Sequence, residues 1–210
     1  KAVRQHQVGG SIGGPIVENK TFIFGAYEGI RALVGNSEVL SSPATVSTGN
    51  AAISIPDAIA SLNGLGIPVS QLSLNLSSLF PANTNPGGSL NVSLPNKNRN
   101  DNFIIKADHH INDKNSLTGR YFMGDSLQTE LDIPVLRPEW ESQSRLRAQV
   151  VGVNWTWVPN TAWVNEARFG YNRFWQSILT ADHNVDPMTY GINTGVTNPA
   201  DFGFPRINID

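Results

Sequence analysis

The sequence predicts an all-β protein whose antiparallel, up-and-down strands form part of a transmembrane β-barrel, with long loops that carry short helices. Three observations lead to this prediction. Apolar and polar side chains alternate with a period of two, the alternating runs are long, and short turns follow in rhythm with long loops. Period-two alternation is typical of a strand, and a tilted barrel strand needs about 9–11 residues to cross the hydrocarbon.

The clearest hairpin lies at residues 145–176, where two alternating runs flank a turn predicted at Val158–Asn160. Each run is well over ten residues, against about 5–6 residues for an average strand in a soluble protein. Aromatic side chains crowd near the turn, as they do in the girdles that mark the membrane interfaces of barrels. These girdle candidates are Trp155, Trp157 and Trp163.

Two further hairpins are predicted at residues 7–31 and 101–125, with polar turns at Glu18–Lys20 and Asp113–Asn115. The first hairpin contains the glycine-rich run GGSIGG at residues 9–14. This run lacks the Lys-Ser/Thr pair and the following helix of a phosphate-binding loop, so that interpretation is rejected. Glycine at these positions indicates a close approach of another backbone or a sharp bend of the sheet.

Long loops are predicted at residues 33–100, 126–144 and 177–210, and a last extended piece at 206–210. The first loop has helical spacing of apolar residues at Pro56–Leu65 and Val69–Phe80. Outer-membrane barrels have short periplasmic turns and long extracellular loops. This asymmetry favours a membrane barrel over a soluble sandwich.

Composition excludes several classes of function. The 210 residues include no cysteine, so disulfide and thiolate chemistry are excluded. The net charge of −2 offers no basic field for nucleic acid. No apolar run is long enough for a transmembrane helix. The chain starts and stops inside strand patterns and has no initiator Met, so we expect a segment of a longer protein whose plug and remaining strands are absent.

Five charged side chains inside the predicted strands alternate against an apolar set, whereas Arg173 is an exception within the apolar set of its own strand. A charge on the lipid face at mid-membrane costs about 2–4 kcal/mol, so we expect these five side chains to face the lumen. No nucleophile or pocket signature accompanies them, so no catalytic residues and no enzyme activity are predicted. The predicted lumen-facing charges are Lys106, Asp108, Arg120, Glu166 and Arg168.

The tripeptide Asp108-His109-His110 raises the possibility of a metal site. Neighbouring residues of a strand point to opposite faces, so Asp108 and His110 could share a metal ion but His109 could not join them. Further ligands would have to come from His6 or His183, which are distant in sequence. We therefore predict no metal and no cofactor.

The three hairpins resemble those of Oar-like TonB-dependent outer-membrane receptors, which carry a carboxypeptidase-regulatory-like domain. The similarity rests on GGSIGGPI with KTFIFGAYEGIR, on the DNF, DH, DK and GRY elements of residues 101–121, and on VNEARFGYNRF. It covers nearly the whole chain, strongly in the hairpins and weakly in the loops. The resemblance implies a barrel of about 22 strands with an internal plug. It also implies outer-membrane lipid around the barrel and transport of a large, unidentified substrate driven by the TonB complex, which would contact a part of the protein before residue 1.

Substrate contacts are expected in the loops, where Trp140, Phe202 and Phe204 are weak ligand-binding candidates; packing of these rings within the loops is the alternative. A different class of protein also remains open at this point. A secreted β-sandwich that binds a glycan would use Trp140, Trp175 and the Asn-rich loops. That alternative predicts a buried core containing Val151, Val153 and Phe169.

Overall fold

A six-stranded antiparallel sheet dominates the computed structural model, which describes residues 3–129 and 135–205. Its strands pair in the order β1-β2-β5-β6-β7-β8 and the sheet does not close on itself. The prediction of up-and-down antiparallel strands is confirmed. The strands of this sheet are β1 Val3–Val17, β2 Thr21–Val34, β5 Asn96–Asn112, β6 Asn115–Thr129, β7 Ser142–Asn160 and β8 Trp163–Thr180.

Two of the three short turns lie where turn chemistry predicts them. At the first turn Asn19 adopts a left-handed φ of 57°, which asparagine tolerates better than most residues, and Lys20 N–H donates to the Val17 carbonyl at 3.1 Å. At the second turn the Asn112 side-chain oxygen accepts from Lys114 N–H at 3.0 Å. An asparagine side chain thus replaces part of the missing ladder at this turn.

The third turn corrects the sequence prediction at Val158–Asn160. Strand β7 continues through Asn160, and Thr161 and Ala162 form the turn. The pairing of β7 with β8 becomes irregular between Trp157 and Asn160, next to Pro159, which cannot donate a ladder hydrogen bond. Asn160 Oδ1 accepts from Ala162 N–H at 2.9 Å and so closes the turn beyond the proline.

The glycine-rich run of β1 lies against the backbone of β2 on one face only. A Cβ atom at Gly9 would stand 2.7 Å from the Tyr27 carbonyl oxygen, and one at Gly13 would stand 3.0 Å from that of Ile23. A Cβ at Gly10 or Gly14, which point to the opposite face, would meet nothing within 4 Å. Close approach of the β2 backbone therefore explains Gly9 and Gly13, as the sequence indicated.

The longest loop contains more structure than its sequence predicts. Helix α1 spans Ile55–Gly64 and helix α2 spans Gln71–Ser77, within the predicted helical stretches apart from the first residue of α1. A small separate sheet, β3 Ser37–Ser41 paired with β4 Ser89–Ser93, was not predicted. Strand β5 also begins at Asn96, inside the predicted loop 33–100.

The other two loops are shorter than predicted because their flanking strands extend further. Strand β6 runs to Thr129 and β7 starts at Ser142, so both enter the predicted loop 126–144. Strand β8 ends at Thr180 and is followed by the 3-10 turns Pro187–Tyr190 and Pro199–Asp201. The extended piece predicted at 206–210 lies outside the described residues.

Buried apolar side chains lie in the loops. Among the described residues they include Ala44 (0% exposed) and Leu79 (8% exposed), and Pro187 is also buried, in the third loop. The apolar side chains of the main sheet are half-buried or exposed, with Phe169 at 66%. The only packed core of the described parts is thus small and belongs to the loop region, whereas the sheet presents two open faces.

Candidate functional site: the two faces of the sheet and the outer loops

One face of the sheet is apolar through its middle. Strand register aligns side chains of one parity in rows that cross the sheet, such as Ile105, Tyr121, Val151 and Tyr171. The next row towards the turns contains Ala107, Gly119, Val153 and Phe169. We call this surface the apolar face. Between Phe103 and Ile111 it extends for roughly 27 Å along the strand, at about 3.4 Å per residue.

Tryptophans border the apolar face at the end near the short turns. The rings of Trp155 and Trp157 are stacked with their centroids 6.2 Å apart, and Trp163 is 69% exposed. Trp155 Nε1 donates to Asn115 Oδ1 at 3.2 Å, so the indole has a polar partner beside an apolar surface. Such rings suit the boundary between hydrocarbon and water.

The opposite face carries all five charges that the sequence assigns to the lumen. Lys106 and Arg120 are directly paired in register, and Lys106 Nζ lies 2.9 Å from Asp108 Oδ2. Thr118 Oγ1 donates to Asp108 at 2.7 Å. Arg168 and Glu166 form an ion pair at 2.6 Å, and Asn154 Nδ2 also donates to Glu166. We call this surface the polar face.

The three outer loops touch one another above the end of the sheet opposite the short turns. Arg137 donates from Nη1 to the Leu79 carbonyl oxygen at 3.2 Å, which ties the second loop to the first. Asn75 Nδ2 donates to the Tyr190 carbonyl oxygen at 3.2 Å, which ties the first loop to the third. The described loops therefore form one assembly.

Two of the three candidate ligand-binding aromatics pack together in this assembly. The rings of Trp140 and Phe204 are 6.0 Å apart, and Tyr190 meets Phe204 edge-on at 5.5 Å. The Arg137 guanidinium lies 5.8 Å from the centre of the Trp140 ring, a cation–π distance. Phe202 has no ring partner among the described residues. We call Arg137, Trp140, Tyr190 and Phe204 the loop aromatic cluster.

An ion pair between Arg137 and Glu139 supports this cluster. Arg137 donates to both carboxylate oxygens of Glu139, at 3.1 and 3.0 Å. These hydrogen bonds hold the pKa of the Glu139 carboxyl below its ordinary value. They also fix the guanidinium plane near Trp140. The cluster, whose four members are half-buried, is thus a structural junction between loops.

A model of the outer membrane beta barrel domain matches residues 1–210. The chain belongs to the outer membrane beta barrel domain family. It is therefore a protein of the bacterial outer membrane, and the predicted fold class and localisation are confirmed. No curated protein and no solved structure gives a match.

Membership in the barrel family decides against the soluble sandwich. The sandwich interpretation requires a core around Val151, Val153 and Phe169, but Val153 is 37% exposed and Phe169 is 66% exposed. Within residues 3–129 and 135–205 no second sheet packs on the main one. In the same residues no helix has the length and apolar character needed to cross a membrane.

The histidines do not assemble a metal site in the described structure. His109 Nδ1 hydrogen bonds with Thr21 Oγ1 at 2.8 Å, and His110 meets the Phe22 ring edge-on. His183 Nδ1 lies 2.8 Å from the Thr180 carbonyl oxygen in the outer loops, and His6 pairs in register with Arg31. No group of three or more His, Asp or Glu side chains in the described residues could hold a metal ion.

Sequence reasoning missed a charged network at the loop end of the apolar face of the barrel domain. Tyr27 Oη and Arg31 Nη2 donate to Asp101 at 2.6 and 2.7 Å, and Arg147 donates to Asp125 at 2.8 and 2.5 Å. These residues share the parity of the apolar rows, and the charged ones lie on the loop side of those rows, next to Tyr27 near the middle of β2. All five lie inside the predicted hairpins, so counting parity at the charged positions of each hairpin would have found them.

Proposed function

We propose that this chain is part of a TonB-dependent outer-membrane receptor that moves a large substrate across the outer membrane. The observation that supports this most is the likeness of all three hairpins to Oar-like receptors, combined with the open sheet. Six strands do not close a membrane barrel, since single-chain bacterial barrels start at about 8 strands. Further strands and an internal plug complete the pore in this proposal, and the polar face lines it.

The polar face supports a role in a wide lumen. Two ion pairs lie along single strands of this face, Lys106 with Asp108 on β5 and Arg168 with Glu166 on β8. On β8, at the open edge of the sheet, the Arg168 side chain is 74% exposed. In the proposed barrel, water or a plug would meet these pairs.

The outer loops supply the surface that would meet a substrate first. Their mutual contacts through Arg137 and Asn75 hold a preformed assembly above the sheet. Substrate chemistry is not specified by these residues, so the test has to be independent of a chosen substrate.

The test compares the culture medium of three strains of the native bacterium: wild type, a strain without the full-length protein, and a strain without TonB. Large solutes and peptides in the medium are quantified by mass spectrometry. We expect the amounts of one set of compounds to change in the same direction in both deletion strains. Plasmid-borne wild-type protein should restore these amounts in the strain that lacks the full-length protein. A medium unchanged by loss of the protein, or a change that loss of TonB does not reproduce, contradicts the proposal.

A further inference from the structure

The loop end of the apolar face is strongly cationic. Seven Lys and Arg side chains of the described strands share the parity of the apolar rows there, against two carboxylates, Asp101 and Asp125. A formal excess of five positive charges thus stands on one edge of a chain whose net charge is −2. We call this set the cationic rim: Arg4, Arg31, Lys97, Arg99, Arg145, Arg147 and Arg173.

The two carboxylates fix three members of the rim in place. Asp101 accepts from Arg31 at 2.7 Å and from Arg99 at 2.9 Å. Asp125 accepts from Arg147 at 2.5 Å and lies 3.9 Å from Arg99. The Asp125 side chain is only 8% exposed, whereas the guanidinium groups around it reach outwards. The carboxylates therefore act as anchors that position donors towards the surface.

The remaining four cations have no acidic partner among the described residues. Two of them, Arg145 and Arg173, border a cleft of about 270 Å³ together with Arg147, Gln149 and Trp175. A second cleft of about 420 Å³ is bordered by the other two, Arg4 and Lys97. Unpaired guanidinium groups around a cleft are suited to bind the oxygens of a phosphate group.

The position of these cations along the strands indicates which class of phosphate compound would bind. In the described strands the cations of this face begin where the apolar rows end, on the side of the outer loops, and the turn side carries tryptophans and no Lys or Arg. Gln149, which borders the first cleft, lies two residues before Val151 on the same apolar face of β7. A ligand held here would have its polar head at the rim and its acyl chains beside the apolar rows.

We propose that the cationic rim binds the phosphate groups of phosphorylated lipids in the outer leaflet, with the cleft between Arg145 and Arg173 as a specific headgroup site. The proposal uses the membership in the barrel family and the geometry of the apolar face. It does not depend on TonB or on transport.

The test measures binding of the full-length protein, purified in a neutral detergent, to lipid A carrying two phosphates. The same lipid without phosphates and free inorganic phosphate are the comparison ligands. The variant Arg145→Gln/Arg173→Gln removes the two unpaired guanidinium groups, and Arg120→Gln/Arg168→Gln removes two from the polar face. A mobility shift on heating shows that each variant has folded.

We expect the phosphorylated lipid to bind more tightly than the other two ligands. Its affinity should fall about tenfold in the rim variant, remain unchanged in the polar-face variant, and weaken with added salt. Equal binding of the lipid with and without phosphates overturns the proposal, as does full competition by inorganic phosphate at an equal concentration. Equal affinities of the folded rim variant and the wild type also overturn it.

Discussion

Asp57 shows how one carboxylate can organise a loop. Its oxygens accept hydrogen bonds from the Ser47 hydroxyl, from Thr48 N–H at 2.7 Å and from Asn50 N–H at 3.1 Å. These donors, with the Ser47 hydroxyl the largest cause, hold the pKa of the Asp57 carboxyl well below its ordinary value. Asp57 also lies in the first turn of α1, whose N-terminus favours a negative charge.

Acid should loosen this loop by protonating Asp57. Because its pKa is lowered in the folded loop, the stabilisation is complete above the ordinary aspartate pKa of about 3.9 and is lost progressively as pH falls below it. We expect amide exchange of residues 47–50 in the full-length protein, corrected for intrinsic rates, to rise below about pH 4. Asp57→Asn should raise this amide exchange at neutral pH and remove most of its dependence on pH. If exchange in the wild type depended on pH as little as it does in the variant, this account would be contradicted.

The loop aromatic cluster makes a prediction at the scale of elements. Trp140 is the last residue of a 3-10 turn in the second loop, Pro138–Trp140, and Phe204 lies in the third loop. Their contact therefore joins two loops that are separated in sequence by the β7–β8 hairpin. Packed aromatic pairs contribute about 0.5–1.5 kcal/mol beyond their buried area. Trp140→Ala and Phe204→Ala should therefore increase exchange in the loops to a similar extent, and the double variant should add little to either.

Phe202→Ala is the matched control, because Phe202 belongs to the same loop and has no ring partner among the described residues. Hydrogen exchange measured by mass spectrometry on residues 181–205 compares the four variants with the wild type. Additive effects of Trp140→Ala and Phe204→Ala, or an equal effect of Phe202→Ala, would show that the ring contact does not couple the loops.

Local signals predicted the hairpins but not every boundary. Alternation placed Lys106, Asp108 and Arg168 on one face because parity along a strand leaves only two choices. Turn propensity placed the third turn at Val158–Asn160, but the ladder between β7 and β8 carries the strand through Asn160. The β3–β4 pair was missed because strands paired over such a separation leave no local pattern. The cationic rim was missed in part because Lys97 and Arg99 fell in a predicted loop and Arg4 lay before the first predicted hairpin. Its other members lay in predicted hairpins, but their common face emerges only from the register between strands.

At the scale of the whole molecule, the two faces of the sheet should differ in their tolerance of charge. Val150 and Val151 are neighbours on β7, both half-buried, and they point to opposite faces. Val151 pairs with Tyr121 and Tyr171 on the apolar face, whereas Val150 pairs with Phe122 and Asn172 on the polar face. The same substitution at both positions therefore isolates the environment of each face.

Val151→Arg should place a guanidinium group against hydrocarbon and destabilise the folded barrel by about 2–4 kcal/mol, while Val150→Arg should have a much smaller effect because its face is open to water. Outer membranes from cells expressing each full-length variant are washed with carbonate, and the heat-modifiable fraction and the urea unfolding midpoint are measured. Wild-type protein should stay in the membrane and shift its mobility on boiling. If Val150→Arg proved the more damaging substitution, the polar face would be the one in contact with lipid. The cationic rim would then point into the lumen, and the proposed headgroup site would have to be abandoned.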